Sequence, residues 1–375
     1  MKNPFVYGKE VSGDSFCDRE EETKELCRDI FNSQNVIVFS QRRFGKTSLL
    51  KKVLDKCQRG GILAIYVDLY PVLTEEDFVR LYGKVIVETI YGKFTKKLKD
   101  ISRIFTRIRP TVSVDNLGNY SWSIDVNKSE ILPSLGDVLE SVERYSKFKK
   151  KKVVVCFDEF QQISLFKTDK VQKMMRSSFQ KHKNISYIFM GSKKHLIFDI
   201  FNNPSKPFYK SGKSFPLCKI KDKELLKFAQ HKFKQSGKAI SRELLSEVIK
   251  ECETHPYYFQ YLCHIIWERT VDRKNIESQD FVESRDLLLE RASSTYEACW
   301  DSLTIRQRQA LMALAKTLAG EQIFSHEYLQ KHNLGSASTL QRILQSLRDK
   351  DLVDKEKNKY SIIDVFFKKW IFALR

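Results

Sequence analysis

The sequence predicts an α/β chain in three parts: a three-layer, open parallel sheet with helices on both faces, then helices alone, then a small helical group closed by a hairpin. Three observations carry this. Short apolar runs alternate with amphipathic helical stretches through the first 220 residues, the order expected of parallel strands joined by crossover helices. Residues 221–299 hold helical stretches with no strand pattern, and residues 300–375 read as three helices followed by two short runs around a basic turn. A chain of 375 residues exceeds one ordinary core, so the expected domains are 1–220, 221–299 and 300–375.

The elements follow in order. "NVIVFS" (35–40) is a short apolar run bounded by polar residues, which reads as a buried parallel strand. It leads into "QRRFG", after which Leu49, Leu50, Val53, Leu54 and Cys57 recur at helical spacing. Further buried strands are expected at 62–69, 152–160 and 185–192, with Leu135, Val138, Leu139, Val142 and Tyr145 marking one face of a helix between them. Residues 109–126, "RPTVSVDNLGNYSWSIDV", alternate on both sides of an Asn/Gly turn and read as an inserted antiparallel hairpin.

In the helical region, "SRELLSEVIKECE" places Leu244, Leu245, Val248 and Cys252 on one stripe, and Pro256 opens the next helix, where its missing amide is harmless. His255 reads as a structural contact at that helix entry. Tyr257, Tyr258, Phe259, Tyr261 and Trp267 read as packing of the bundle. In the last part, "TIRQRQALMALAKTLAG" turns Ala310, Leu311, Leu314 and Ala315 inward, and "SHEYLQKHN" is a short second helix. "GSASTLQRILQSLRDKDLV" buries Leu340, Ile343, Leu344 and Leu347, leaving Ser338, Thr339, Gln341, Arg342, Gln345 and Arg348 outward as groups suited to phosphates and base edges. The hairpin "LVDKEKNKYSII" completes a helix-turn-helix with a wing.

Composition narrows the classes. Hydrophobic residues at 42% and charged residues at 30%, with sparse Gly and Pro, exclude a disordered or fibrous chain. No run approaches the roughly 18 apolar residues of a membrane helix, and no apolar signal core opens the sequence, so a membrane is not an expected partner. Eight scattered cysteines without a C-x-x-C pair read as reduced thiols in a cytoplasmic protein. A net charge of +19 suits a polyanion such as double-stranded DNA. Residues 93–109 hold seven bases against one acid, and 147–152 hold five bases in six positions; a partner face and a solvated helix fit the first equally. Residues 301–375 carry only 13 bases against 8 acids, a weak excess for a DNA reader, so a protein contact stays open for the wing and its helices.

The chemistry concentrates in "SQRRFGKT" (40–47). A strand, a loop ending Gly-Lys-Thr and a helix make a phosphate cradle: Lys46 reaches the β- and γ-phosphates of ATP, Thr47 meets Mg²⁺, and the amides of Arg43, Phe44, Gly45, Lys46, Thr47 and Ser48 face phosphate oxygens at a helix N-terminus. Ser40 stands where such loops begin with glycine, at modest backbone cost. "VVVCFDE" (153–159) puts Asp158 and Glu159 at the exit of a buried strand, where ligands bind in parallel sheets. Asp158 would hold Mg²⁺ and Glu159 would polarise an attacking water. Ser192, at the end of the next strand, reads equally as a contact to the γ-phosphate or the water and as a strand-capping serine.

Taken together, "NPFVYG", "FCDRE", "FSQRRFGKTSLL", "VVVCFDEFQQI", "YIFMGS", "PFYKSGKSFPL", "HPYYFQYL" and "YSIIDVFFKKWI" occur in the order typical of archaeal-type ATPases of the AAA+ superfamily, which the chain resembles along nearly its whole length. That family lies near the origin-recognition initiators and the STAND signalling ATPases. The resemblance implies an AAA+ P-loop core, a helical lid and a C-terminal winged helix. It assigns the Walker A, Walker B and sensor roles to Lys46, Thr47, Asp158, Glu159 and Ser192, and puts Phe16, Arg19 and Glu20 at the adenine side. Two departures stand out: Lys210, Ser211 and Lys213 replace the arginine many relatives carry, and Gln260 replaces a basic sensor in the lid. Slow turnover of ATP to ADP follows from both, because lysine lacks the planar guanidinium fork. The expected function is an ATPase switch engaging DNA or a partner, self included, through its winged helix. The alternative is a STAND-like signalling or scaffold protein with little hydrolysis and no DNA contact.

Overall fold

The computed structural model describes residues 2–11, 13–92, 98–114, 120–126, 130–318, 320–356 and 359–374. Residues 93–97 of the basic stretch, the hairpin turn at 115–119 and the wing tip at 357–358 lie outside the described residues. The chain divides into two units, Arg19–Cys218 on one hand and, on the other, the N-terminal residues through Asp18 together with Lys219–Arg375.

The first unit runs α1 (Glu20–Phe31), β1 (Val36–Phe39), α2 (Lys46–Arg59), β2 (Leu63–Asp68), α3 (Glu75–Tyr91), α4 (Leu98–Ile104), β3 (Pro110–Val114), β4 (Tyr120–Ile124), α5 (Ile131–Lys149), β5 (Val153–Asp158), a 3₁₀ turn (Phe160–Leu165), α6 (Lys170–Phe179), β6 (Ile185–Gly191), α7 (Lys194–Asn202) and β7 (Lys213–Pro216). Five strands form one parallel sheet in the order β2-β5-β6-β1-β7. Every residue of β1, β5 and β6 is buried, which is why these strands read as largely apolar runs, Ser186 and the terminal Asp158 apart. The edge strand β7 buries only Phe215 and therefore left no apolar signature.

β3 and β4 form the expected antiparallel hairpin. Trp122 and Ile124 are buried in the core shared with α3 and α5, and the Trp122 indole donates to the Gly92 carbonyl at 3.0 Å. Gly83 makes this packing possible: a Cβ there would lie 2.3 Å from Ile124 Cδ1.

Asp137 of α5 ties down the chain between α4 and β3. Its carboxylate accepts from the amides of Thr106, Arg107 and Ile108 at 2.8–3.0 Å, from the Thr106 hydroxyl at 2.7 Å, and from Arg144. Burial pushes its pKa upward, but the three amides and the hydroxyl outweigh burial and hold it below the ordinary carboxylate value. Asp137→Ala strands those donors and should cost about 3–5 kcal/mol, read as a lower urea midpoint. Because the folded-state pKa is depressed, the carboxylate's contribution is present above about pH 4 and is lost as pH falls through the folded value. Urea midpoints of wild type and variant should therefore converge in acid.

The second unit contains α8 (Asp222–Gln235), α9 (Arg242–Glu251), α10 (Pro256–Arg269), α11 (Ser278–Asp301), α12 (Ile305–Lys316), α13 (His326–Lys331), α14 (Ala337–Asp349), β8 (Val353–Glu356), β9 (Lys359–Ile362) and α15 (Val365–Ala373). α11 runs unbroken past residue 299, and its Tyr296 and Trp300 rings meet Phe367 and Trp370 of α15 at 5.2 and 6.0 Å. Thr304, Ser325 and Ser336 cap α12, α13 and α14 through side-chain oxygens. β8 and β9 pair antiparallel as the wing. α15 was not legible as a helix because Phe, Ile and Val dominate it; Asp364 decides the matter by accepting from the amides of Phe366 and Phe367 at 3.0 and 2.8 Å. Among the described residues no helix is long and apolar enough to cross a membrane.

Candidate functional site

The loop after β1 turns back on itself before α2. Two residues take left-handed backbone, Arg43 at φ 62° and Gly45 at φ 80°, while Ser40 keeps an ordinary negative φ. A side chain at position 40 is therefore free of backbone strain. The left-handed conformation at Arg43 costs roughly 1–2 kcal/mol, since its Cβ crowds the following carbonyl. Lys46 opens α2 and is 7% exposed; its Nζ donates to the Gln41 carbonyl at 2.8 Å and to the Ser40 carbonyl at 3.1 Å, with Ser40 Oγ at 3.3 Å. Burial pulls the Lys46 ammonium down to about 8, against the upward pull of Glu159 and Asp158.

Across the sheet, Thr47 Oγ1 donates to Asp158 Oδ2 at 3.2 Å, joining the first turn of α2 to the end of β5. Tyr66 of β2 donates to the same oxygen at 2.6 Å, and the Glu159 amide donates to Asp158 Oδ1 at 2.8 Å. Burial raises the Asp158 pKa, and these two hydrogen bonds oppose it. Because β6 lies between β5 and β1, the residue at its exit falls between the two halves: Ser192 Oγ donates to Glu159 Oε2 at 2.8 Å.

Glu159 sits at φ 50°, a left-handed position of the kind that recurs at functional sites. Gln161 Nε2 donates to the same Glu159 Oε2, while Gln161 Oε1 is buried without a hydrogen-bond partner among the described residues. Gly191 gives that amide its room, since a Cβ there would lie 2.3 Å from Gln161 Oε1.

The remaining expected residues divide. Phe44 and Ser48 are buried beside the loop, and Arg43 is exposed. Arg19 is 3% exposed, with its guanidinium donating to Glu22 Oε1 and to the Cys218 carbonyl, each at 2.7 Å. That places it as a tie between α1 and the segment after β7. Glu20 is the first residue of α1 and is exposed. Phe16 belongs to the second unit, its amide donating to the Gly13 carbonyl at 3.1 Å.

The replacements for the arginine are engaged elsewhere: Lys213 bridges Glu25 and Asp29 at 2.7 Å each, Ser211 donates to the Phe208 carbonyl at 2.6 Å, and Lys210 lies over the Tyr209 ring. Gln260 is a bracket within the second unit. Its Nε2 donates to the Ser15 carbonyl at 3.1 Å and its Oε1 accepts from the Val6 amide at 3.3 Å.

On α14, Ser338, Gln341, Arg342 and Gln345 are exposed, and Thr339 and Arg348 half-buried, with Leu340, Leu344 and Leu347 beneath them. Gln345 donates to Asp349 at 2.8 Å and accepts from Arg348 at 2.9 Å, so this end of the face is already hydrogen-bonded within the helix.

Tyr66 and Gln161 are the site residues that sequence reasoning missed. Tyr66 lies in an apolar strand, and only the register of β2 on β5, Tyr66 opposite Cys156, reveals that it reaches Asp158. Gln161 follows the Asp-Glu pair by two, in a turn, Phe160–Leu165, that also holds Gln162 and Ser164, so its polarity did not single it out.

A Gly-Lys-Thr loop after one parallel strand, paired with Asp-Glu at the end of another, in a five-stranded sheet of order 2-5-6-1-7 followed by a helical region and a winged helix, defines a P-loop ATPase of the AAA+ type. The chain belongs to the family of ATPase domains found predominantly in Archaea, whose profile matches residues 16–262, and a probable winged helix domain matches residues 294–373. It therefore carries a nucleotide-binding ATPase domain. Among solved structures it is similar in fold to a Walker-type ATPase of Pyrococcus abyssi, at 17% identity and a TM-score of 0.64, covering 98% of this chain and 99% of that one. It is likewise similar to the Aeropyrum pernix ORC2 protein in its ADPNP-ADP complexes, at 13% identity and a TM-score of 0.57, covering 94% and 93%. No curated protein matches the sequence significantly.

Proposed function

We propose that the chain is a Mg²⁺-dependent ATPase acting as a nucleotide-controlled switch, with the winged helix as its contact to DNA or a partner. The observation that carries this reading is the convergence of Lys46, Thr47, Asp158, Glu159 and Ser192 from the ends of β1, β5 and β6. The ORC2 neighbour was solved with ADPNP and ADP, which supports an adenine nucleotide here too.

In this reading Lys46 leaves the carbonyls of Ser40 and Gln41 to meet phosphate oxygens, where its buried charge is worth most. Arg43, Phe44, Gly45, Thr47 and Ser48 offer backbone amides at the start of α2. The metal fit is chemical: Thr47 Oγ1 and Asp158 Oδ2 are hard oxygen donors already in contact, a set suited to Mg²⁺. Bound Mg²⁺ would neutralise charge building on the phosphates. Glu159 then accepts the proton of an attacking water, held in place by Ser192 and Gln161. The eight cysteines, scattered without a C-x-x-C pair, fit a reducing, cytoplasmic setting.

A second reading, a STAND-like signalling or scaffold protein with little hydrolysis, is favoured by Glu159 itself. Two donors share its Oε2, and Lys210, Ser211 and Lys213 are engaged elsewhere, so turnover should be slow. For the winged helix we expect duplex DNA to bind through Ser338, Thr339, Gln341, Arg342, Gln345 and Arg348, with affinity falling steeply as salt rises and differing between ATP and ADP. Filter binding at low salt checks this. No retention of duplex in either nucleotide state would remove DNA and leave a protein contact.

A further inference from the structure

Two thiols outside the nucleotide site face each other across the contact between α1 and α2. Cys27 Sγ and Cys57 Sγ are 4.0 Å apart, with the Cys57 S–H directed at Cys27. Both are free cysteines, Cys27 6% and Cys57 0% exposed, so Cys27 is the one of the two that touches solvent. The two helices approach closely at this end: Gly60, at the end of α2, sits so near the Phe31 ring that a Cβ would lie 2.8 Å from it. Closing the remaining gap to a sulfur–sulfur bond of about 2 Å needs movement of the sulfurs by roughly 2 Å, within reach of side-chain rotation between packed helices.

We propose that Cys27 and Cys57 form a reversible redox-modification site, oxidised by peroxide to a disulfide that ties α1 to the helix that begins with Lys46. The Cys27 sulfur attacks one peroxide oxygen, the O–O bond breaks, and Cys27 becomes a sulfenic acid as water leaves. Cys57 then attacks the Cys27 sulfur, expelling a second water. In sum two thiols and one hydrogen peroxide give one disulfide and two waters, the thiols supplying two electrons and two protons.

The polarity of the pair suits this order of events. The Cys57 S–H donated to Cys27 pulls the Cys27 thiol down to about 7, and burial together with that same interaction pushes Cys57 up. Cys27 is thus the thiolate that reacts first and Cys57 the resolving thiol. The exposed Cys218, with its S–H turned to the Pro216 carbonyl at 3.8 Å, has no such thiol donating to it among the described residues and serves as an internal reference.

The test uses the full chain under graded hydrogen peroxide, followed by alkylation in denaturant and non-reducing peptide mass spectrometry. We expect a Cys27–Cys57 linked peptide, lighter by two hydrogens, to appear before Cys218 is oxidised and to vanish with dithiothreitol. In Cys57→Ser a dimedone adduct should form on Cys27 in its place, and the oxidised wild type should melt higher by roughly 5–10 °C, because the cross-link restricts the unfolded chain. Recovery of both thiols in reduced form after Cys218 has been consumed would overturn the proposal, as would cross-links of either cysteine to a different partner. The wild-type peptide map decides the matter even if the serine variant fails to fold.

Discussion

Replacing Lys46 with alanine should lower the affinity for Mg-ATP at least about 30-fold. The ammonium is buried at the head of α2, hydrogen-bonded among the described residues to the hydroxyl and carbonyls of its own loop, and depressed to about 8 by desolvation. A phosphate arriving there exchanges weak neutral acceptors for an anion in a setting with little water to screen it. Truncating one partner of such a buried pair costs on the order of 2–5 kcal/mol, which is roughly 30- to 4,000-fold in affinity. Calorimetric titration of wild type and Lys46→Ala reads this directly, and a melt of the unliganded variant reports whether it folds. Equal stabilisation of both proteins by Mg-ATP would mean that the nucleotide binds elsewhere.

The second large effect separates binding from chemistry. Glu159→Gln keeps the shape of the side chain and one amide oxygen to accept from Ser192 and Gln161, but removes the basic oxygen. Turnover should fall by roughly 10²- to 10⁴-fold while nucleotide affinity stays within a few-fold. Phosphate release under steady-state conditions measures the first and titration the second. If turnover is unchanged, the proton goes to another group, and if the wild type shows no turnover at all the scaffold reading stands. Lys46→Ala and Glu159→Gln therefore fail in different ways: one empties the site, the other fills it without reaction.

Much of this was legible in the residues. The strands at 35–40, 62–69, 152–160 and 185–192 announced themselves as apolar runs, three of them because burial on both faces selects apolar side chains, and each is a strand in the fold. Leu340, Leu344 and Leu347 marked the buried stripe of α14 by spacing alone, and the inserted hairpin was written in its alternation. The Gly-Lys-Thr loop and the Asp-Glu pair were recognisable because each is contiguous.

What stayed hidden was decided between segments distant in sequence. Phe215 is one buried residue among four and gives β7 no periodicity; only its pairing with β1 makes it a strand. The sheet order sets β6 between β5 and β1, and so sets Ser192 against Glu159, while the register of β2 sets Tyr66 against Asp158. The meeting of Cys27 with Cys57 and the bracket made by Gln260 arise in the same way. A sequence by itself determines which faces must leave water, because burial periodicity is local. Which buried face meets which is a question of closing long loops against a shared core, and that only the tertiary structure decides.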